Sequence, residues 1–282
     1  MGDSDLPLKP DYDALNRPNE DFYMKMTNCF NKSIKLIVLI LSFLLSTYYF
    51  KSQQINDYFH SVYFSYIKKN KIKKWFNKEA LEYDAENLHH GSAWGYLSTE
   101  EFKEIILDGV SKMDPQINKH EKIFELGVGV GAALKVIEND IGADQLEMGG
   151  SDIAENAINQ VKKLFPKQSE NFFVFDMTEK HNNIPDNYYD HVLSFGALAM
   201  YLTKNDMKKA IKEAVRMTKP GGALLFTGFV APDGKSINSI VAPVERSFFE
   251  ENAKEWGIEN IKIYGMKHQG DRYQVICRKQ GG

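Results

Sequence analysis

Apolar residues fall along this chain in three unlike patterns. Over residues 1–32 they are scattered among Asp, Asn and Pro, with Pro7, Pro10 and Pro18 interrupting any helix, so a disordered tail is expected. Leu36 to Phe50 is apolar throughout except for Ser42, Ser46 and Thr47. From about Glu79 onward short apolar runs alternate with stretches of helical spacing, the pattern of a folded domain.

Within that domain, Ser98-x-x-Glu101 is a capping box opening a helix that turns Phe102, Ile105, Ile106 and Val110 inward and ends before Pro115. Ile123, Phe124 and Leu126 then supply a buried strand. Gly127, Gly129 and Gly131 follow it, and Ala132, Ala133, Leu134, Val136 and Ile137 continue at helical spacing. Strand, glycine turn and helix in that order leave bare backbone and free helix N–H groups facing a ligand. The spacing Gly127-x-Gly129-x-x-Ala132 also satisfies the dinucleotide fingerprint, so the turn alone does not name that ligand.

Four more strands and a hairpin are readable. Leu146 to Ser151 is weakly strand-like and leads to Asp152; Phe172 to Phe175 leads to Asp176; His191 to Phe195 is the fourth strand. Thr203-x-x-Asp206 caps a helix reaching Met217, which Lys219-Pro220-Gly221-Gly222 stops, and Ala223 to Phe229 is the fifth strand. Alternating strands and helices imply crossover connections and a parallel sheet. Ile261–Met266 and Tyr273–Cys277, joined through Gln269-Gly270-Asp271, read as a hairpin adding an antiparallel edge. The expected fold is α/β: a doubly wound, Rossmann-like sheet of seven strands, mostly parallel, over residues 79–282.

The apolar run is read as a single transmembrane helix over residues 33–51. Its fifteen core residues reach about 22 Å of the roughly 30 Å hydrocarbon layer, and Ile34 with snorkelling lysines closes most of the gap. More than thirty residues precede it and no small-residue cleavage site follows, which argues against a signal peptide. A buried core helix would tolerate more polar positions. Lys51, Lys68, Lys69, Lys71, Lys73, Lys74 and Lys78 follow the run, whereas only Lys25, Lys32 and Lys35 lie close before it, so the positive-inside rule puts the C-terminal domain in the cytosol. Residues 52–78 carry Ile55, Phe59, Val62, Tyr63, Tyr66 and Ile67 at helical spacing, then a basic stretch with Trp75 and Phe76. They are expected to form a juxtamembrane connector close to the leaflet.

Composition narrows the chemistry. The 282 residues are 43% apolar and 26% charged, ordinary for a globular chain, and the net charge of −3 argues against a generic nucleic-acid binder. Two cysteines and seven histidines without ligand spacing predict no metal site. More telling is an acidic residue at the C-terminal end of three successive strands, Glu125, Asp152 and Asp176, because those ends converge on the ligand crevice of a doubly wound sheet. Carboxylates accept from hydroxyls and amines but repel phosphate, so a cationic or hydroxyl-rich ligand fits. A single such Asp would be equally at home as a helix cap.

Taken together, Phe124-Glu125-Leu126-Gly127-Val128-Gly129-Val130-Gly131, Gly150-Ser151-Asp152, Phe175-Asp176-Met177, Ile184-Pro185-Asp186-x-x-Tyr189-Asp190-His191-Val192 and Arg216-Met217-Thr218-Lys219-Pro220-Gly221-Gly222 resemble a class I S-adenosylmethionine-dependent methyltransferase over roughly residues 98–278. The resemblance implies that Glu125, Gly127, Gly129 and Gly131 hold the methionine end of the cofactor, Asp152 its ribose, and Asp176 its adenine amine, with Met177 on the ring. It places Ser194, Phe195 and Gly196 near the sulfonium. It also implies a lid before the first strand, where His89, His90 and Tyr96 are candidate acceptor-site or general-base residues. Ser194-Phe195-Gly196-Ala197 departs from the Asn/Asp-Pro-Pro-aromatic motif of enzymes acting on planar amide or adenine nitrogens. The expected activity is therefore membrane-anchored, cytosol-facing methyl transfer to a small-molecule or lipid-like acceptor. The rivals are a nicotinamide-dependent oxidoreductase and a non-catalytic cofactor-binding domain.

Overall fold

A computed structural model describes residues 69–82, 97–199, 202–230 and 244–281. Helix α1 (Lys69–Glu79) and helix α2 (Thr99–Ser111) precede strand β1 (Lys122–Leu126). There follow α3 (Ala132–Ile141), β2 (Glu147–Asp152), α4 (Glu155–Leu164), β3 (Phe172–Val174), β4 (Tyr189–Phe195), α5 (Lys204–Met217), β5 (Thr218–Val230), α6 (Ser247–Trp256), β6 (Ile258–Met266) and β7 (Gln269–Lys279).

The seven strands form one sheet in the order β3-β2-β1-β4-β5-β7-β6, with β7 antiparallel to both of its neighbours and the other pairings parallel. Period-two alternation divides the core. Ile123, Leu193, Leu225 and Ile276 pack under α2, α3 and α4, while Phe124, Val192, Leu224 and Val275 pack under α5 and α6. The order reverses between β1 and β4, the switch point beside which doubly wound sheets bind ligands at the carboxyl ends of their strands. The capping box of α2 forms as read: Ser98 Oγ accepts the Glu101 amide, and the Glu101 carboxylate accepts the Ser98 amide.

Several boundaries differ from the sequence reading. The hairpin turns at Lys267-His268, and Gln269-Gly270-Asp271 belong to β7; burial of Met266 in the core pins this register, with His268 at φ +57° closing the two-residue turn. Strand β3 stops at Val174, which leaves Asp176 in the turn beyond it. The weakly strand-like β2 is weak for a reason: a Cβ on Gly150 would lie 2.8 Å from Val128 Cβ, so only glycine admits the turn after β1 so close to this strand. Helix α6 escaped the pattern because Glu250, Glu251, Lys254 and Glu255 break up its apolar face. Phe248, Asn252 and Trp256 at steps of four, closed by Gly257 at φ +68°, were its available signal.

The expected tail at 1–32, anchor at 33–51 and first part of the connector lie outside the described residues. Among the described residues no helix is long and apolar enough to cross a membrane. The last part of the connector, however, is helix α1 and packs on the domain, so folded structure begins before residue 79. Ala80 is buried with Val130, Ala154 and Ala157, and Phe76 packs against them. Asn77 Oδ1 accepts the Asn156 amide at 2.9 Å, while Asn156 Nδ2 donates to the Asn77 carbonyl at 2.7 Å. Asn156 lies in the first turn of α4, whose own N-cap, Ala154, has no side-chain acceptor; α1 supplies the cap from outside.

Asn77→Ala should therefore destabilise the protein by about 1 kcal/mol, the usual cost of losing a cap. Asn77→Asp, which keeps the acceptor, should lose less. Urea unfolding of the three proteins checks this, and an Ala variant as stable as the parent would remove the capping role.

Candidate functional site

Four turns meet at the carboxyl ends of β1, β2, β3 and β4. After Leu126 the chain takes φ values of +72° at Gly127, +54° at Gly129 and +90° at Gly131, a left-handed sequence that side chains with a Cβ rarely adopt. A Cβ at Gly127 would lie 2.1 Å from Ala197 Cβ and 3.2 Å from Met177 Cε, so this glycine lets the β1, β3 and β4 turns close on one another. At Gly129 a Cβ would meet nothing within 4 Å. The loop is thus crowded at its start and open at its middle, which leaves backbone facing free space. The amides of Gly127 and Val128 both donate to the Ser151 carbonyl, at 2.8 and 2.9 Å, fastening the loop to β2.

Two of the predicted carboxylates come together here. Glu125 is only 2% exposed, and its Oε2 has no hydrogen-bond partner among the described residues. Burial, and secondarily the negative charge of Asp152, push its carboxyl well above the usual range, while the Phe195 amide opposes them. Asp152 Oδ2 accepts the Gly129 amide at 3.0 Å and Oδ1 accepts the Ala154 amide at 2.8 Å. Burial raises its carboxyl too, against the amides of Ala154, Gly129 and Ile153. Asp152 is therefore a turn-forming residue as well as a candidate ligand, and it is largely but not wholly buried.

The remaining predicted residues are placed less uniformly. Asp176 Oδ1 accepts the Thr178 amide at 3.0 Å and its hydroxyl at 2.7 Å, shaping the turn that brings Met177 to the glycine loop. Ser194 lies at the end of β4 but is fully buried, and its Oγ accepts the Leu198 amide at 3.4 Å, holding the next turn. His89, His90 and Tyr96 lie outside the described residues. Sequence reasoning missed Ala197, whose small side chain is required by its approach to Gly127, and the Asn77–Asn156 pair behind Asp152. Neither carries a local signal, because each acts on a residue distant along the chain.

The chemistry available is that of two carboxyls at the switch point beside a bare backbone loop. A cation binding there would relieve the burial cost of Glu125, and hydroxyl donors would suit Asp152.

Residues 124–226 match the family model described as a methyltransferase domain. The chain is 25% identical over 121 residues to a phosphoethanolamine N-methyltransferase of Plasmodium falciparum, covering 43% of each protein. It is 28% identical over 120 residues to the tRNA N(3)-methylcytidine methyltransferase Mettl2 of Drosophila melanogaster, covering 41% of this chain and 37% of that one. A hybrid PKS-NRPS synthetase of Penicillium citrinum is 26% identical over 135 residues, 46% of this chain but 3% of the synthetase. The chain thus spans less than half the length of these curated relatives, from 3% to 43%. Among solved structures, the cyclase SpnF aligns with a TM-score of 0.52 at 14% identity, covering 67% of this chain and 84% of that one. A chain of the Haloferax volcanii complex containing the Trm112 methyltransferase activator aligns with a TM-score of 0.52 at 14% identity, covering 65% and 92%. Likenesses at that identity establish the fold.

The raised carboxyl of Glu125 sets a pH dependence. Its contribution to stability is full below the ordinary value of 4.5, where both states are protonated, and is lost as pH rises towards the higher folded value. Glu125→Gln should therefore raise the melting temperature of the ligand-free protein at pH 7 and flatten its decline between pH 5 and neutrality. Thermal unfolding across that range checks it, and a variant less stable at pH 7 would show that the carboxylate is paired.

Proposed function

We propose that this chain transfers the sulfonium methyl group of S-adenosylmethionine to a small-molecule or lipid-like acceptor, as a class I methyltransferase tethered to a membrane. Its cofactor is S-adenosylmethionine, and residues 124–226 carry the match to a methyltransferase domain. The observation that supports a place for that cofactor in this crevice is Glu125, a buried carboxylate with an unpartnered oxygen beside a glycine loop open at Gly129. A ligand carrying both an ammonium and a sulfonium compensates such a group, whereas a polyphosphate would be repelled.

S-adenosylmethionine supplies a methyl group already activated by its positive sulfur. The protein's part is to bind, orient and exclude water. Glu125 and the loop of Gly127, Gly129 and Gly131 take the methionine end, Asp152 the ribose hydroxyls, and Asp176 the adenine amine with Met177 against the ring. Ser194, Phe195 and Gly196 at the end of β4 would lie near the sulfonium. A general base is needed only for an acceptor that must lose a proton, and His89, His90 and Tyr96 are the candidates for that role. The fold does not dictate the reaction, since a cyclase shares it; the carboxyl chemistry of the site and the domain match support methyl transfer.

The tether is the apolar run over residues 33–51. With the lysines that follow it held inside, the domain faces the cytosol, and lipids or membrane-partitioning metabolites come within reach as acceptors.

Calorimetric titration should show S-adenosylmethionine or S-adenosylhomocysteine binding and NAD not binding. Asp152→Ala should weaken that binding by about 1 to 3 kcal/mol through loss of a charged acceptor. NAD binding without a response to either adenosyl ligand would replace this function with an oxidoreductase, and a folded Asp152→Ala variant of unchanged affinity would leave Asp152 a purely structural residue. In sealed microsomes, protease should digest the C-terminal domain and spare a tag on the N-terminus. The opposite pattern would reverse the orientation, and release by alkaline carbonate would remove the span.

A further inference from the structure

Helix α1 has two faces with different chemistry. Phe76 and Ala80 turn towards Val130, Ala154 and Ala157, and the paired bonds between Asn77 and Asn156 fix the helix in rotation as well as position. Val130 belongs to the glycine loop, and Ala154 and Asn156 lie two and four residues beyond Asp152. The helix is therefore docked on the two segments that form the candidate cofactor site.

The opposite face is a stripe. Lys71, Lys74, Trp75 and Lys78 stand at i, i+3, i+4 and i+7, which places them one above another. All four are exposed, the indole at 38%, although tryptophan is ordinarily among the most buried residues. Among the described residues Lys71, Lys74 and Lys78 make no ion pair, and Glu79 is the single acid of the helix. Helix α1 contains no arginine, the residue suited to bidentate recognition of an individual phosphate. Lysines are mobile point charges that match a diffuse negative surface, and an indole between them matches the polar-apolar boundary of a bilayer. Attraction to a nucleic acid is the weaker fit, because the chain carries a net charge of −3 and the stripe offers one aromatic ring rather than a stacking platform.

We propose that the outward stripe of α1 lies on an anionic lipid leaflet and that, through the docked inward face, α1 holds the cofactor crevice in a fixed orientation to that leaflet. This deepens the membrane-tethered function above and rests on it, but the contact is a separate one, made by residues 71–78 and independent of the apolar run at 33–51. Its attraction is electrostatic, weakens as salt is raised, and requires acidic headgroups.

The full chain is mixed with phosphatidylcholine vesicles with and without phosphatidylserine, some carrying brominated acyl chains. Sedimentation and tryptophan quenching are then read together. With phosphatidylserine, brominated lipid should quench an emission component absent from Trp75→Phe. The K71E/K74E/K78E variant should lose that quenching and, where the stripe is the main attachment, weaken vesicle binding by about tenfold or more. S-adenosylhomocysteine affinity should be unchanged in that variant, since the three side chains face away from the crevice. Sedimentation with both vesicle types without Trp75 quenching would keep the tether and overturn the stripe. Sedimentation only with phosphatidylserine, lost in the triple variant, would support the stripe and remove the tether. Failure to sediment with either would overturn both, and RNA that displaces the chain from vesicles through the same three lysines would replace lipid as the occupant.

Discussion

The carboxylate of Asp152 divides its two oxygens between Gly129 and Ala154, and much of the site depends on that division. One bond fixes the glycine loop after β1; the other shapes the turn that starts α4 after β2. The ladder between neighbouring parallel strands does nothing to align the loops that leave their carboxyl ends, because its bonds stop at the last paired residue. Here the ladder ends at Leu126 and Ser151, and the bonds beyond it do the aligning: two loop amides on the Ser151 carbonyl, then Asp152 across the gap. Asn77 continues the same chain of contacts by capping α4 from the far side.

Against this tight frame, Glu125 breaks the ordinary rule that buried polar groups are hydrogen-bonded. It lies opposite Gly150 on β2 and Leu193 on β4, with an oxygen that no described group satisfies. A fold retains such a group when a ligand completes it, at a cost to the ligand-free state. Compensation is visible far from the crevice. Arg216 on α5 pairs with Glu213 and Asp186 and donates to the carbonyls of Ile184 and His181, pinning the long crossover between β3 and β4. Lys279 at the end of β7 donates to the Val215 and Thr218 carbonyls, closing the end of α5. Arg216 and Lys279 are thus multiply satisfied where they hold the scaffold together, whereas Glu125 keeps an oxygen without a partner among the described residues.

Much of this was legible in the linear pattern, and the physical reason is locality. The glycine turn, the Ser98 capping box, the parallel strands and the acids at their ends each depend on residues within a few positions of one another. Periodicity and turn chemistry therefore carried them, and family resemblance extended them to a cofactor. The register of the β6–β7 hairpin was misread because Gln269-Gly270-Asp271 has better turn chemistry than Lys267-His268. Burial of Met266, a tertiary matter, outweighed it. Ser194 was rightly placed at a strand end, but the direction of its hydroxyl depended on the Leu198 amide in the following turn.

What the sequence alone determined is the order of elements, the doubly wound class and the carboxyl character of the crevice, because these follow from side-chain period and from which residue ends each strand. Only the tertiary structure decided which of those residues meet. Gly127 closing on Ala197, Gly150 admitting Val128 and Asn77 capping α4 are contacts between residues 22 to 79 positions apart. Such contacts leave no trace in any local window, since each is fixed by the packing of a whole helix or turn against the sheet.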